Sequence, residues 1–255
     1  MKNRKGKSIA IASSKGGVGK TVNTMSLAGI FEQLEKKVLV IDFDLYTGDI
    51  ATYSNKKIKK DLFDLSLDMD NINYKNIKDY TTKVDEYIDI LPAPIDPRNA
   101  SKINVNNIPD IISKATLTYD VVLVDTNHAL NDITLSVLQS VDKILLLTKN
   151  DPLDIKSLST LISILKELEY DNYKVILNNS RDPFKDYFTL FDIKKIIKHN
   201  IDYTLSVELY LKDIEKYIMD GIIITLDKKF SDYFMKDYKT YLIIATDILG
   251  GTTNE

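Results

Sequence analysis

An apolar run stops at a glycine-rich loop, and a helical pattern begins at once: IAIASSKGGVGKTVNTMSLAG, residues 9–29. No other stretch limits so strongly what this chain can fold into. A glycine-rich turn between a strand and a helix leaves backbone N–H groups unpaired and convergent, next to the positive end of a helix dipole. An anion of phosphate size fits that concavity. Glycine is required because a side chain would block close approach and because some positions need φ > 0. The candidate nucleotide-binding residues are therefore Gly16, Gly17, Val18, Gly19, Lys20, Thr21 and Val22. In this chemistry Lys20 contacts β- and γ-phosphate oxygens, and the Thr21 hydroxyl ligates Mg²⁺. Ser14 stands where the G-x-x-x-x-G-K-[ST] pattern places its first glycine. A second lysine, Lys15, opens the loop and needs its own explanation.

The loop sits in an alternating βα pattern. Strands are predicted at 8–13, 37–41, 87–91, 120–124, 143–148, 173–177 and, more weakly, 203–207. Helices are predicted at 21–34, 108–116, 153–168, 190–199 and 211–219. Runs such as KVLVID, DVVLVD and DKILLLT lack polar alternation, as strands buried on both faces do. The fold class that follows is α/β, a doubly wound, mostly parallel sheet flanked by helices. The polar stretch 55–86 mixes loop with short helices. No repeat or linker divides the chain, so one domain over residues 1–255 is expected.

Ligands in such sheets lie beyond the carboxyl ends of the strands. KVLVIDFDLYTGDI places Asp42 and Asp44 at one strand end, two apart and so both directed at the loop. One carboxylate there can orient the attacking water and another can hold Mg²⁺ through its shell. YDVVLVDTN ends another strand at Asp125, and KVILNNSRD ends a third at Asn178. An amide suits the adenine edge, and it equally suits a turn or a helix cap.

Bulk composition excludes several classes. The chain has no cysteine, so disulfides, thiolate metal sites and cysteine nucleophiles are absent. A net charge of −3 gives no general attraction for nucleic acid. The N-terminal MKNRKGKS lacks the apolar stretch of a signal peptide, and no run approaches the ~20 residues that span a bilayer. A cytoplasmic protein is expected.

SKGGVGKT resembles the deviant Walker A loop, K-G-G-x-G-K-[ST], of the ParA/MinD family of ATPases. The resemblance implies a P-loop NTPase fold of the SIMIBI type, with ATP and Mg²⁺ as cofactors. It implies that Lys15 crosses a face-to-face homodimer to the partner's phosphates, coupling ATP occupancy to dimerisation. Catalytic roles then fall to Lys15, Lys20 and Asp44, with Asp44 positioning water. Asp42 supports it, and Asp125 reaches Mg²⁺ through water beside Thr21. Asn178 takes the adenine contact. The family continues its Asp-Thr pair with prolines; here Asn127 and His128 follow, which implies a relaxed loop and an altered hydrolysis rate.

DFDLYTGDIATY, DILPAPIDPRNA and YDVVLVDTNHALNDITLSVLQSVDKILLLTKND are similar to the CpaE/TadZ group, MinD-like ATPases of Flp pilus assembly. The implied function is a slow, partner-stimulated ATPase switch that positions or assembles a pilus or secretion apparatus. The N-terminal receiver-like domain of many CpaE proteins is not expected. Tyr233, Tyr238 and Tyr241 lie at helical spacings and are expected as a packing stripe. The end, KDYKTYLIIATDILGGTTNE, has no basic charge after Lys239, so a helix docked on the core is expected, without direct membrane insertion. Attachment to the membrane's inner face through a partner stays open. So does a ParA-type partitioning ATPase that binds DNA through Lys56, Lys57, Lys59 and Lys60 and through Lys194, Lys195 and Lys198. A nucleotide-bound scaffold with little or no hydrolysis is the third reading.

Overall fold

Each βα repeat closes by burying an apolar strand under an amphipathic helix, and the chain does this almost throughout. The computed structural model describes residues 5–181, 187–209 and 214–251. Strand β1 (Lys7–Ala12) leads through the glycine loop into α1 (Lys20–Gln33). β2 (Val38–Phe43) leads into α2 (Asp49–Ser54) and α3 (Leu62–Asp70). A short β3 (Thr82–Lys83) folds back on β4 (Ile88–Leu91), and α4 (Ile108–Thr116) precedes β5 (Val121–Thr126). Next come α5 (Asp132–Ser140), β6 (Lys143–Thr148), α6 (Pro152–Glu167) and β7 (Tyr173–Asn178). The described chain ends through α7 (Leu190–Ile197), β8 (Tyr203–Leu205), α8 (Ile214–Met219), α9 (Phe230–Tyr233) and α10 (Met235–Leu249).

The eight strands form one sheet in the order β3-β4-β2-β5-β1-β6-β7-β8. Among the described residues, only the β3–β4 pair is antiparallel. Strand side chains alternate between two cores. Ala10, Ala12, Leu39 and Ile41 pack under α3, α4, α5, α6 and α7. Ile9, Ile11, Val38 and Val40 pack under α1, α2, α8, α9 and α10. Each such fully buried large aliphatic side chain contributes about 1.5–3 kcal/mol.

The seven predicted strands are all present, and β3 is an addition inside the polar stretch 55–86. The predicted helix 211–219 begins outside the described residues and is seen as α8. Helix α5 was not legible in advance: DITLSVLQS is rich in weak helix formers. Asn131 caps it by accepting the Thr134 N–H, and Val137 and Leu138 bury its inner face.

Helix α10 docks on the core as expected, with Tyr241, Ile244, Ala245 and Ile248 buried. The tyrosine stripe is shorter than expected. Helix α9 stops at Tyr233 and α10 restarts after Phe234, so the helical spacing breaks and Tyr233 is 72% exposed. Among the described residues, no helix is long and apolar enough to cross a membrane.

Candidate functional site

The strand order places β1 between β5 and β6, and the loop leaving its carboxyl end is the glycine loop. Gly17 and Gly19 adopt φ of +71° and +93°, the left-handed region that disfavours side chains. Gly19 is the N-cap of α1 and offers no side-chain cap, so the first N–H groups of α1 stay available to a ligand. Space demands glycine here as well. A Cβ at Gly19 would stand 2.9 Å from Asn178 Nδ2 and 3.1 Å from Arg181 Nε.

Those crowding side chains hold the loop's carbonyls. Asn178 Nδ2 donates to the Val18 carbonyl at 2.9 Å, and Asn23 Nδ2 donates to the Gly19 carbonyl at 2.8 Å. The Tyr241 hydroxyl, from α10, donates to Asn23 Oδ1 at 2.8 Å. Asn178 Oδ1 accepts from the Ser180 hydroxyl at 2.6 Å, so this amide acts first as a loop support. Lys20 is buried with its Nζ 3.2 Å from Ser13 Oγ, and the Ser13 hydroxyl donates to the Lys15 carbonyl. Lys15 is exposed on the rim, on the side where α6 presents Asp154.

The acids come from the ends of β2 and β5, whose register pairs Asp42 with Asp125. The Thr21 hydroxyl donates to Asp125 Oδ2 at 2.7 Å, joining the first turn of α1 to the end of β5. Asp42 and Asp44 do not face the loop together, as their spacing predicts. β2 ends at Phe43, so the alternation stops before Asp44. Asp44 lines the cleft, while the fully buried Asp42 carboxylate accepts the N–H groups of Asp44 at 3.0 Å and Ile50 at 3.2 Å. Asp42 therefore shapes the turn that carries Asp44.

Asn127 corrects a second expectation. The loop after β5 is tied rather than relaxed: Asn127 Nδ2 donates to Asp44 Oδ1 at 2.6 Å, and Asn127 Oδ1 accepts the Ala129 N–H at 2.8 Å. One amide thus turns the loop and aims the carboxylate. His128 lies beside Gly16 and lines the cleft.

Four carboxylates crowd this end of the cleft. Burial pushes Asp42 well above the usual carboxylate range, and the Asp125 charge adds to it. Burial pushes Asp125 up to about 7, against the Thr21 hydrogen bond and the Lys20 charge. Asp49 is raised by burial and by Asp44. A divalent cation reverses such shifts. No group of three or more His, Cys, Asp or Glu side chains able to hold a metal occurs among the described residues. Mg²⁺ takes one or two protein oxygens and completes its shell with phosphate and water. Thr21 Oγ1 and Asp125 Oδ2 fit that need.

The cleft measures about 440 Å³, within the usual range for small-ligand sites. The glycine loop, Asp44, Val22, Tyr53, Arg181 and Ile218 are among its lining residues. A smaller chamber between Val22, Asn23, Asn178 and Tyr241 adjoins it. Asn23, Tyr53, Arg181 and Tyr241 escaped the sequence reading because no local pattern marks them; only the fold brings them to the loop.

Comparisons with known proteins accord with this geometry. Residues 6–178 match the AAA_31 family, an AAA domain. An ATP-binding protein of Methanocaldococcus jannaschii is 31% identical over 138 residues, 54% of this chain and 51% of that protein. The chain thus spans about half the length of that relative. The structure of a ParA family ATPase from Chlorobium tepidum superposes with a TM-score of 0.81 at 21% identity, covering 94% of this chain and 98% of the other. The septum site-determining protein MinD of Pyrococcus horikoshii, solved with Mg-ADP, gives 0.77 at 20% identity and 95% of each chain. These two structural matches speak for the fold alone. The match over residues 6–178 means that the chain belongs to the AAA_31 family, and its fold is the one seen in the ParA and MinD structures.

Proposed function

We propose that this chain is an ATP-dependent dimerisation switch with slow ATP hydrolysis. The observation that carries the reading is the opposite disposition of the two loop lysines. Lys20 is drawn in against Ser13, ready for the phosphates of its own nucleotide, while Lys15 is exposed on the rim. The resemblance to the ParA/MinD loop implies that this rim ammonium reaches the phosphates bound by a second copy, so nucleotide occupancy and dimerisation become one equilibrium.

Within one subunit the α1 N–H groups and Lys20 bind the β- and γ-phosphates. Thr21 and Asp125 hold Mg²⁺, which when bound neutralises phosphate charge. Asp42 fixes the turn that presents Asp44, and Asn127 aims the Asp44 carboxylate at the attacking water. Asn178 keeps one N–H beyond its bond to Val18 and offers it to adenine. The segments similar to the CpaE/TadZ group support a role in placing a pilus or secretion apparatus through protein partners that read the ATP state.

Lys15→Ala tests the switch. The variant is expected to bind ATP as the wild type does and to sediment as a monomer with ATP and Mg²⁺. A dimer that persists overturns the assignment. A second reading, ParA-type partitioning on DNA, is favoured by the exposure of both lysine clusters, 56–60 and 194–198. Salt-sensitive binding of plasmid DNA by the ATP-bound protein selects it, and no binding selects the pilus-type role.

A further inference from the structure

Tyr53, on α2, is 1% exposed, and its hydroxyl has no hydrogen-bond partner among the described residues. A buried phenol O–H without an acceptor carries a desolvation penalty that a ligand would relieve. Tyr53 packs in the core cluster under α1 and also lines the nucleotide cleft together with Val22, Arg181 and Ile218. Helix α2 is closely packed at its carboxyl end. Gly221, just beyond α8, approaches its end so closely that a Cβ there would stand 2.7 Å from Asn55 Cβ and 3.2 Å from the Ser54 carbonyl.

Arg181 is the second unused donor. Its Nε lies against the face of Gly19, and no hydrogen bond or ion pair holds its guanidinium among the described residues. Its positive charge acts on the phenols of both Tyr53 and Tyr241. Asp44, Thr21 and Asp125 mark the end of the cleft that suits Mg²⁺ and the γ-phosphate. Val22 and Arg181 line both this cleft and the chamber that Asn178 lines, and Tyr53 lines the cleft with them.

A guanidinium only donates, and a phenol O–H beside it also does best as a donor. Two donors, one of them cationic, select an anionic oxygen. In a nucleoside triphosphate the anion nearest the sugar is the α-phosphate. We infer that Tyr53 and Arg181 form a clamp on the α-phosphate of the bound nucleotide. This rests on the nucleotide-binding reading above and extends it: the clamp grips ATP and ADP alike, so it sets retention and leaves the ATP-versus-ADP choice to the other end.

Titration calorimetry of the full chain with Mg²⁺ and ATP, ADP or adenosine tests the clamp, using Tyr53→Phe and Arg181→Gln. Tyr53→Phe is expected to weaken ATP and ADP equally, by about tenfold, and Arg181→Gln by roughly tenfold to a hundredfold, as bonds from a charged donor do. Adenosine binding stays unchanged in both. Without ligand, Tyr53→Phe melts no lower than wild type, because the hydroxyl it loses had no partner. Unchanged ADP affinity in both variants overturns the clamp, as does a loss confined to ATP, a loss shared by adenosine, or an unliganded Tyr53→Phe that melts lower. Wild-type protein that binds no nucleotide at all overturns the parent reading, and the clamp with it.

Discussion

Asn127 shows how much one side chain decides at this site. Its amide spans from the backbone of its own loop to the Asp44 carboxylate. If Asp44 positions the attacking water, Asp44→Ala lowers phosphate release by about 10²–10⁴-fold, the range for a positioned general base. Asn127→Ala leaves the carboxylate in place but unaimed, and about a tenfold loss in kcat with KM unchanged is expected from such misplacement. Steady-state phosphate release measures both. At this scale the sequence was uneven as a guide. Gly17, Lys20 and Thr21 were legible because one contiguous loop holds them, and Asp125 because it ends an unbroken apolar strand. The Tyr241–Asn23 bond spans 218 positions, and nothing local in α10 announces it. Asp42 was misread for the opposite reason: the period-two rule was applied one residue past the end of its strand.

Among the elements, strands buried on both faces were legible as unbroken apolar runs, while α5 was not, since packing against α4 outweighs its weak propensity. Helix α1 carries a titrating group that neither pattern showed. Burial and the nearby Asp85 carboxylate push Glu32 up to about 7 from 4.5. Between these values the folded chain holds a proton that the unfolded chain has lost, so stability falls as pH rises through that window. The effect is fully present as a penalty above about 7 and absent below about 4.5. Glu32→Gln removes the titration. It is expected to raise stability at pH 8 by on the order of 1 kcal/mol, discounted for solvent screening. The melting temperature then rises by about 2–4 °C. At pH 5 most of this difference disappears. Thermal melts of both proteins across that range are the check.

Taken whole, the molecule is one sheet with its candidate ligand site at the carboxyl ends of β1, β2, β5 and β7. Helices α1, α2, α8 and α10 all supply walls to that site or its adjoining chamber, so a ligand filling both would touch many parts of the fold at once. Mg-ATP at about 100 times its Kd is expected to stabilise the chain by about 2.7 kcal/mol. For a chain of this size that is a rise of roughly 5–10 °C in melting temperature. Lys15→Ala is expected to keep the rise for a monomer at low protein concentration, which scanning calorimetry with and without ligand decides.

The tie from α10 to the glycine loop orders events in time. The tyrosine that braces Asn23 lies 218 positions after it, so it leaves the ribosome long after the loop has done so. Chains cut short before that helix are therefore born with an unbraced loop.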